Sequence, residues 1–264
     1  MSAIFRREWS AMMWSKLSPH EQAEKFRSCA LAQVKSRHRR LRAEKMYYGA
    51  NDEPLRHHIE AINRFSDLTL LHGRDDDAAC EAAVHLLLAV DGECRGGIPD
   101  EFLYVRAGGP RVRATLLKKG FTHGNSVGAL FVNATSKVVL REYFREAGHD
   151  LLMDANELDT IEALQRSGRT VRLYRGTGRL IEPYNTRYRG MSWTRDRATA
   201  ERFANGNAWG GRWAGIMTCE YPVRHILALW ETSGREPEVV IDPTKAKNIS
   251  VEDHTYVEPL ARAA

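Results

Sequence analysis

Apolar residues recur at three- and four-residue steps through much of the first half of the chain, and gather into short β-branched runs in the second. Ala79, Ala83, Leu86, Leu87 and Val90 share one face of a helix predicted over residues 77–90. Val138, Val139, Leu140 and Phe144 do the same for residues 136–147, and another helix is predicted over 156–166, stopped by Ser167-Gly168. Near the start, Ser18-Pro19-His20-Glu21 combines an N-cap, a proline at N1 and a glutamate at N3, the pattern of a capping box. Good helix formers continue from there to about Lys45. Residues 93–135 are glycine-rich and carry no pattern that assigns them to an element.

From Thr170 the texture changes. Strands are predicted over 171–174, 191–194, 215–221, 238–241 and 249–257, with one helix over 197–204 between the second and third. Short strands with few helices imply an α+β domain at residues 151–264, following a mainly helical region at residues 1–150.

Charge sharpens this division. Residues 1–60 hold 12 Lys and Arg against 7 Asp and Glu, which accounts for the whole of the chain's net +5. The excess is densest at Lys35-Ser36-Arg37-His38-Arg39-Arg40-Leu41-Arg42, a stretch able to meet nucleic acid or another polyanion. A solvated helix face is the favoured reading, because no aromatic stacking platform is interleaved. The run Asp75-Asp76-Asp77 most simply serves the positive end of the helix that follows, and a metal-binding reading is weaker for lack of a further carboxylate at a recognisable spacing. At 43% hydrophobic and 28% charged residues, composition is that of a globular chain, which excludes disordered and collagenous classes. No apolar run nears the roughly 20 residues of a membrane span, and the first residues lack a secretory pattern, so a cytoplasmic location is expected. Cys29, Cys80, Cys94 and Cys219 are scattered and read as reduced thiols, with no metal site expected.

Several local patterns suggest chemistry and fail on context. Gly176-Thr177-Gly178 has Ile181 at the sixth position of a dinucleotide fingerprint and no βαβ unit after it. Gly190-Met191-Ser192-Trp193-Thr194 lacks the final glycine of G-x-S-x-G. Gly124-Asn125-Ser126-Val127-Gly128 satisfies it, with Asp242 and His254 downstream in hydrolase order, but Lys118-Lys119-Gly120-Phe121-Thr122-His123 makes a poor buried strand before it. A glycine-rich loop is the better reading there, with serine hydrolase a minor alternative.

A stronger signal has three ordered parts: Leu173-Tyr174-Arg175-Gly176, then Ser192-Trp193-Thr194, then Arg235-Glu236-Pro237-Glu238 leading into Val239-Val240-Ile241. Each alone has an ordinary explanation, as a surface ion pair, common strand composition, or two acids sharing one side of an extended segment. Their order is what counts. Over about residues 171–257 the chain resembles the arginine–serine–glutamate class of mono-ADP-ribosyltransferases, which includes clostridial-type toxins, vertebrate ecto-enzymes, and phage and bacterial members that modify host proteins. Arg175 matches the class arginine, Ser192-Trp193-Thr194 the Ser-Thr-Ser element with Trp and Thr substituted, and Glu236-Pro237-Glu238 the Glu-x-Glu element. Phe203, eleven positions after Ser192, falls where toxins of the class place an aromatic beside nicotinamide.

The resemblance implies two small packed sheets, NAD as co-substrate, no metal, and transfer of ADP-ribose to a protein with release of nicotinamide. In that scheme Arg175 holds the pyrophosphate and Gly176 lets the backbone approach the carboxamide. Trp193, Thr194 and Phe203 line the cofactor, and Glu238 faces the positive charge that develops on the ribose. Ser192 steadies Glu238, and Glu236 orients an incoming guanidinium, so protein arginine is the expected acceptor. The Asn205–Arg212 stretch with Trp209 stands where the toxins carry a nicotinamide–phosphate loop, with Arg202 or Arg212 as the candidate basic residue. The alternatives are a domain that binds or hydrolyses NAD without transfer, and a nucleic-acid-binding protein acting through its basic first sixty residues. No membrane partner is expected.

Overall fold

The computed structural model describes residues 16–18, 21, 24, 28, 75–88, 108–123, 137–180, 190–206, 212–231 and 237–257. The Lys35–Arg42 basic stretch, the Gly124–Gly128 motif, Trp209 and Glu236 lie outside them. The chain divides into two units, Met1–Leu152 and Met153–Ala264. No described helix is long and apolar enough to cross a membrane.

In the first unit the described elements are helices: α1 (Asp77–Leu88), α2 (Pro110–His123), α3 (Lys137–Ala147) and the single turn α4 (His149–Leu152). The expected capping box at the start of the chain is present. Glu21 N–H reaches Ser18 Oγ at 3.3 Å, and Glu21 Oε2 accepts the Ser18 N–H at 2.8 Å. Ala79, Ala83 and Leu87 of α1 are buried as their spacing predicts. Helix α2 packs against α1, α3 and α4, burying Val112, Leu116, Leu117 and Phe121, and the Phe121 ring meets Phe144 of α3 edge-on at 5.3 Å.

Helix α2 fills part of the stretch that the sequence left unassigned, and its start explains why. The first N–H groups of a helix need acceptors from outside it. Here the acceptor is remote: Asp75 takes the N–H of Arg111 at 3.1 Å and of Val112 at 3.0 Å. Its neighbour Asp76 caps α1 through the Ala79 N–H at 2.9 Å, and Arg111 pairs with Asp77. The acidic run therefore serves two helix starts rather than one. Gly109 is required at the junction, because a Cβ there would overlap the Asp75 carboxylate.

The second unit opens with α5 (Ala155–Ser167), whose N-cap Asp154 and N3 residue Glu157 form a reciprocal capping box at 2.9 and 3.0 Å. Two three-stranded antiparallel sheets follow. The first has the order β1 (Thr170–Leu180), β3 (Arg212–Pro222), β6 (Lys247–Val257); the second has the order β2 (Ser192–Trp193), β5 (Glu238–Ile241), β4 (Ile226–Trp230). The unit is thus α+β, with the expected strands present and β1, β3 and β6 longer than expected. Strand β4 was not anticipated. Ile226-Leu227-Ala228-Leu229-Trp230 is buried throughout, so it has no alternation to betray it.

Unbroken β3 organises the first sheet. On one face Met217, Cys219 and Tyr221 lie beside Arg175, Leu173 and Val171 of β1. The Tyr221 hydroxyl then ties this sheet to the end of β5, accepting the Asp242 N–H at 3.0 Å and donating to the His225 carbonyl at 2.9 Å. Burial of Cys219 pushes its thiol up to about 12, so it stays protonated. The other face is covered by α6 (Arg197–Gly206), whose Ala200 and Ala204 pack with Ile216 and Tyr174. Strand β6 offsets its register against β3 twice, at the positions of the positive-φ residues Asn248 and Asp253.

Around Tyr174 that outer face is charged. Glu252 accepts from Arg197 at 2.9 Å, from Arg172 at 2.9 Å and from Thr218 at 3.3 Å, and both guanidinium groups lie within 6 Å of the Tyr174 ring. The hydrogen bond from Arg197 is the main reason that the Glu252 carboxyl sits below its ordinary value of 4.5.

Two outcomes are expected. Asp75→Ala lowers stability by about 1–2 kcal/mol, the usual worth of a helix cap, and Asp75→Asn, which keeps one of the two acceptor oxygens that Arg111 and Val112 use, recovers only part of it; urea unfolding of both variants measures this. A carboxylate with a depressed pKa contributes fully above its unfolded value and loses that contribution as pH falls through the folded one. Stability therefore declines below about pH 4.5, and Glu252→Gln makes that decline shallower in thermal melts recorded across the acid range.

Candidate active site

Strands β1 and β2 belong to different sheets and touch at one antiparallel bridge, Tyr174 with Thr194, closed by two N–H···O bonds of 2.8 Å. Continued in register, the ladder would set Arg175 opposite Trp193 and Gly176 opposite Ser192. It does not continue. The sheets part at this point, with Arg175 and Gly176 on one side of the parting and Ser192 on the other.

Arg175 reaches across it. One guanidinium nitrogen, Nη1, donates to the Ser192 carbonyl, which the broken ladder leaves free. The group lies flat on Gly190, where any Cβ would collide with the guanidinium carbon. Its Nε is buried and has no hydrogen-bond partner among the described residues. Burial pulls the Arg175 pKa below its ordinary value, and the Glu238 carboxylate acts in the opposite direction, favouring the cation. A buried cation with an unused donor is a costly structural element, and its planar N–H groups are of the kind that bind anions.

Glu238 opens β5, paired with Trp230 of β4 and half-buried. Ser192 pairs with Val240, so Ser192 and Glu238 share a face of the second sheet as diagonal neighbours. The Ser192 hydroxyl makes no hydrogen bond among the described residues; what the residue supplies to the site is its carbonyl.

Gly176 serves two needs. Ala200 of α6 sits directly on it, and an added Cβ would overlap the Ala200 carbonyl oxygen, so only glycine admits the helix. Its backbone groups also face outward. Tyr174 turns its N–H and C=O away from β3 to meet Thr194, and residues two apart on a strand aim these groups the same way. Gly176 therefore presents its amide to the open edge where the sheets part. Phe203, next to Ala204 on α6, is 43% exposed.

Two of the residues expected to line a cofactor are buried. Strand alternation sends Trp193 to the face opposite Ser192 and Glu238, where its Nε1 donates to the Gly190 carbonyl at 2.9 Å. It supports the Arg175 platform from below. Thr194 was assigned the same role; it is buried, its backbone forms the bridge, and its hydroxyl accepts the Asp196 N–H at 3.1 Å. That turn leads into α6, capped by Asp196 through Ala198 at 3.1 Å and Thr199 at 3.0 Å.

The serine-hydrolase alternative loses its context. A helix, α2, runs up to His123 where a nucleophile elbow needs a strand. Asp242 is buried in a turn, accepting from the Thr244 N–H and hydroxyl at 3.0 and 2.7 Å, and His254 meets Trp213 edge-on at 5.5 Å. Sequence reasoning also passed over Arg195, Glu231 and Glu157, which surround the start of β5 and carry no motif of their own. Among the described residues no cluster of His, Cys, Asp or Glu is set to hold a metal.

The chain matches no protein-family model, no curated protein and no solved structure. A guanidinium kept for a ligand weakens the fold in the ligand's absence, so Arg175→Met is expected to leave stability unchanged or to raise it by about 1–3 kcal/mol. A drop in the urea midpoint would instead mark Arg175 as a structural ion-pair residue.

Proposed function

We propose that the chain is an NAD-dependent mono-ADP-ribosyltransferase that modifies a protein acceptor on arginine, acting in the cytoplasm of the cell that makes it or of a host, as phage and bacterial members of that class do. The observation that carries this reading is the buried Arg175 guanidinium, set between the Ser192 carbonyl and the field of Glu238, with Nε unused, where the two sheets part.

Bound NAD supplies a nicotinamide–ribose C–N bond whose heterolysis releases neutral nicotinamide and leaves positive charge on the ribose. The chain's contribution is to hold and to stabilise. Arg175 offers planar, partly unsatisfied donors to the pyrophosphate, and Gly190 lets the guanidinium lie flat beneath it. The edge-facing amide of Gly176 suits a carboxamide, which needs one donor and one acceptor, and the exposed Phe203 ring nearby suits the face of a pyridine. Glu238 supplies a fixed negative charge from a buried strand, and in partly dehydrated surroundings such a charge stabilises a developing cation strongly. Glu236 takes the proton that the acceptor guanidinium loses as its nitrogen bonds to the ribose carbon. Ser192 positions Arg175 through its carbonyl.

Labelled NAD incubated with the chain and a bacterial lysate distinguishes the readings. Label on protein, reduced about a hundredfold or more in Glu238→Gln, is the expected result. Free ADP-ribose without labelled protein would make the chain an NAD hydrolase. Intact NAD, with nucleic-acid binding that weakens steeply as salt rises, would move the function to the basic first sixty residues.

A further inference from the structure

Glu238 is the first residue of β5 and is paired on one side with Trp230 of β4; the support on its β2 side is different. In the β2–β5 ladder the Ile241 N–H donates to the Met191 carbonyl at 2.8 Å, so the alternate residues Val239 and 237 also face β2. Position 237 is Pro237, which has no N–H to give to Arg195, the residue it would oppose. The ladder on that side ends one residue short of Glu238.

A side-chain link spans the same place. Arg195 follows β2 and Glu231 follows β4, and in the two registers both lie alongside Pro237. Their side chains meet at 3.1 Å, each about one-third exposed or less. Glu231 is held a second time, by its N–H donating to Oε1 of Glu157 at 3.1 Å. Glu157 is itself fully buried, with its other oxygen engaged in the α5 capping box. Alternation puts Arg195 on the Trp193 face of the sheet, opposite the face that carries Glu238. The result is a cross-tie beneath the start of β5, anchored to α5.

We propose that the Arg195–Glu231 pair, backed by Glu157, is a positioning device for Glu238: it replaces the hydrogen bond that Pro237 cannot make and fixes the carboxylate relative to Arg175. The proposal rests on the NAD-cleaving reading above. Neither residue touches the reacting atoms, so loosening the tie should affect the chemical step and leave NAD binding alone. Displacement of a catalytic group by about 1 Å can cost up to a hundredfold in rate.

Steady-state NAD consumption by the full chain tests this. Arg195→Ala is expected to lower kcat at least about tenfold while KM for NAD stays within about twofold. Arg195→Glu should be worse, and adding Glu231→Arg to it should restore much of the lost rate by rebuilding the pair in reverse. If Arg195→Ala proves too unstable to assay, Arg195→Lys and Glu231→Gln, one keeping the pair and one breaking its charge, make the same comparison. An active wild type with unchanged kcat in Arg195→Ala, or a reversed pair that restores nothing, overturns the positioning role and leaves the functional reading intact. A wild type that leaves NAD uncleaved overturns the functional reading, and the positioning role with it.

Discussion

Two hydrogen bonds between Tyr174 and Thr194 decide where the candidate site of this unit lies. They bring an edge of one sheet against an edge of the other, and the pairing then stops, leaving the next residues on both edges with polar groups to satisfy. Arg175 takes one of these, the Ser192 carbonyl, and in doing so its charge is drawn out of water. Gly190 beneath the guanidinium, Gly176 beneath α6 and Trp193 on the far face are all shaped by that junction. A longer ladder between the sheets would have sealed the edge; none at all would have left Arg175 and Glu238 on unrelated surfaces.

The two kinds of arginine in this unit show how location sets purpose. Arg172 and Arg197 lie on the outer face, share Glu252, and rest against the Tyr174 ring with water close by. Their charges are cheap to hold, and their partners are complete. Arg175, one residue along from Tyr174, points to the opposite face, where desolvation outweighs the help it receives from Glu238. Folding favours the first arrangement and merely tolerates the second.

Legibility in the sequence followed the range of the forces involved. Elements with local signals were readable: α1 and α3 from their apolar spacing, α5 and its stop, β5 from a β-branched run, and the early capping box from Ser18 and Glu21. Arg175, Ser192 and Glu238 could be singled out because each sits in a short recognisable phrase. What escaped depended on distant partners. Strand β4 is uniformly apolar and so shows no period, and its identity as a strand comes from pairing with β5. The inward turn of Trp193 is an alternation effect that a three-residue phrase cannot reveal until its sheet is known. Arg195, Glu231 and Glu157 are ordinary charged residues until the register sets them around Pro237.

The cap on α2 carries a consequence of another kind. Asp75 precedes the helix start it serves by some thirty-six residues, so a peptide cut from residues 108–123 would begin with dangling amides and fray. During synthesis, however, Asp75 leaves the ribosome first. The acceptor is already in place when Arg111 and Val112 emerge, and closing the connection between them costs only modestly more as that connection lengthens.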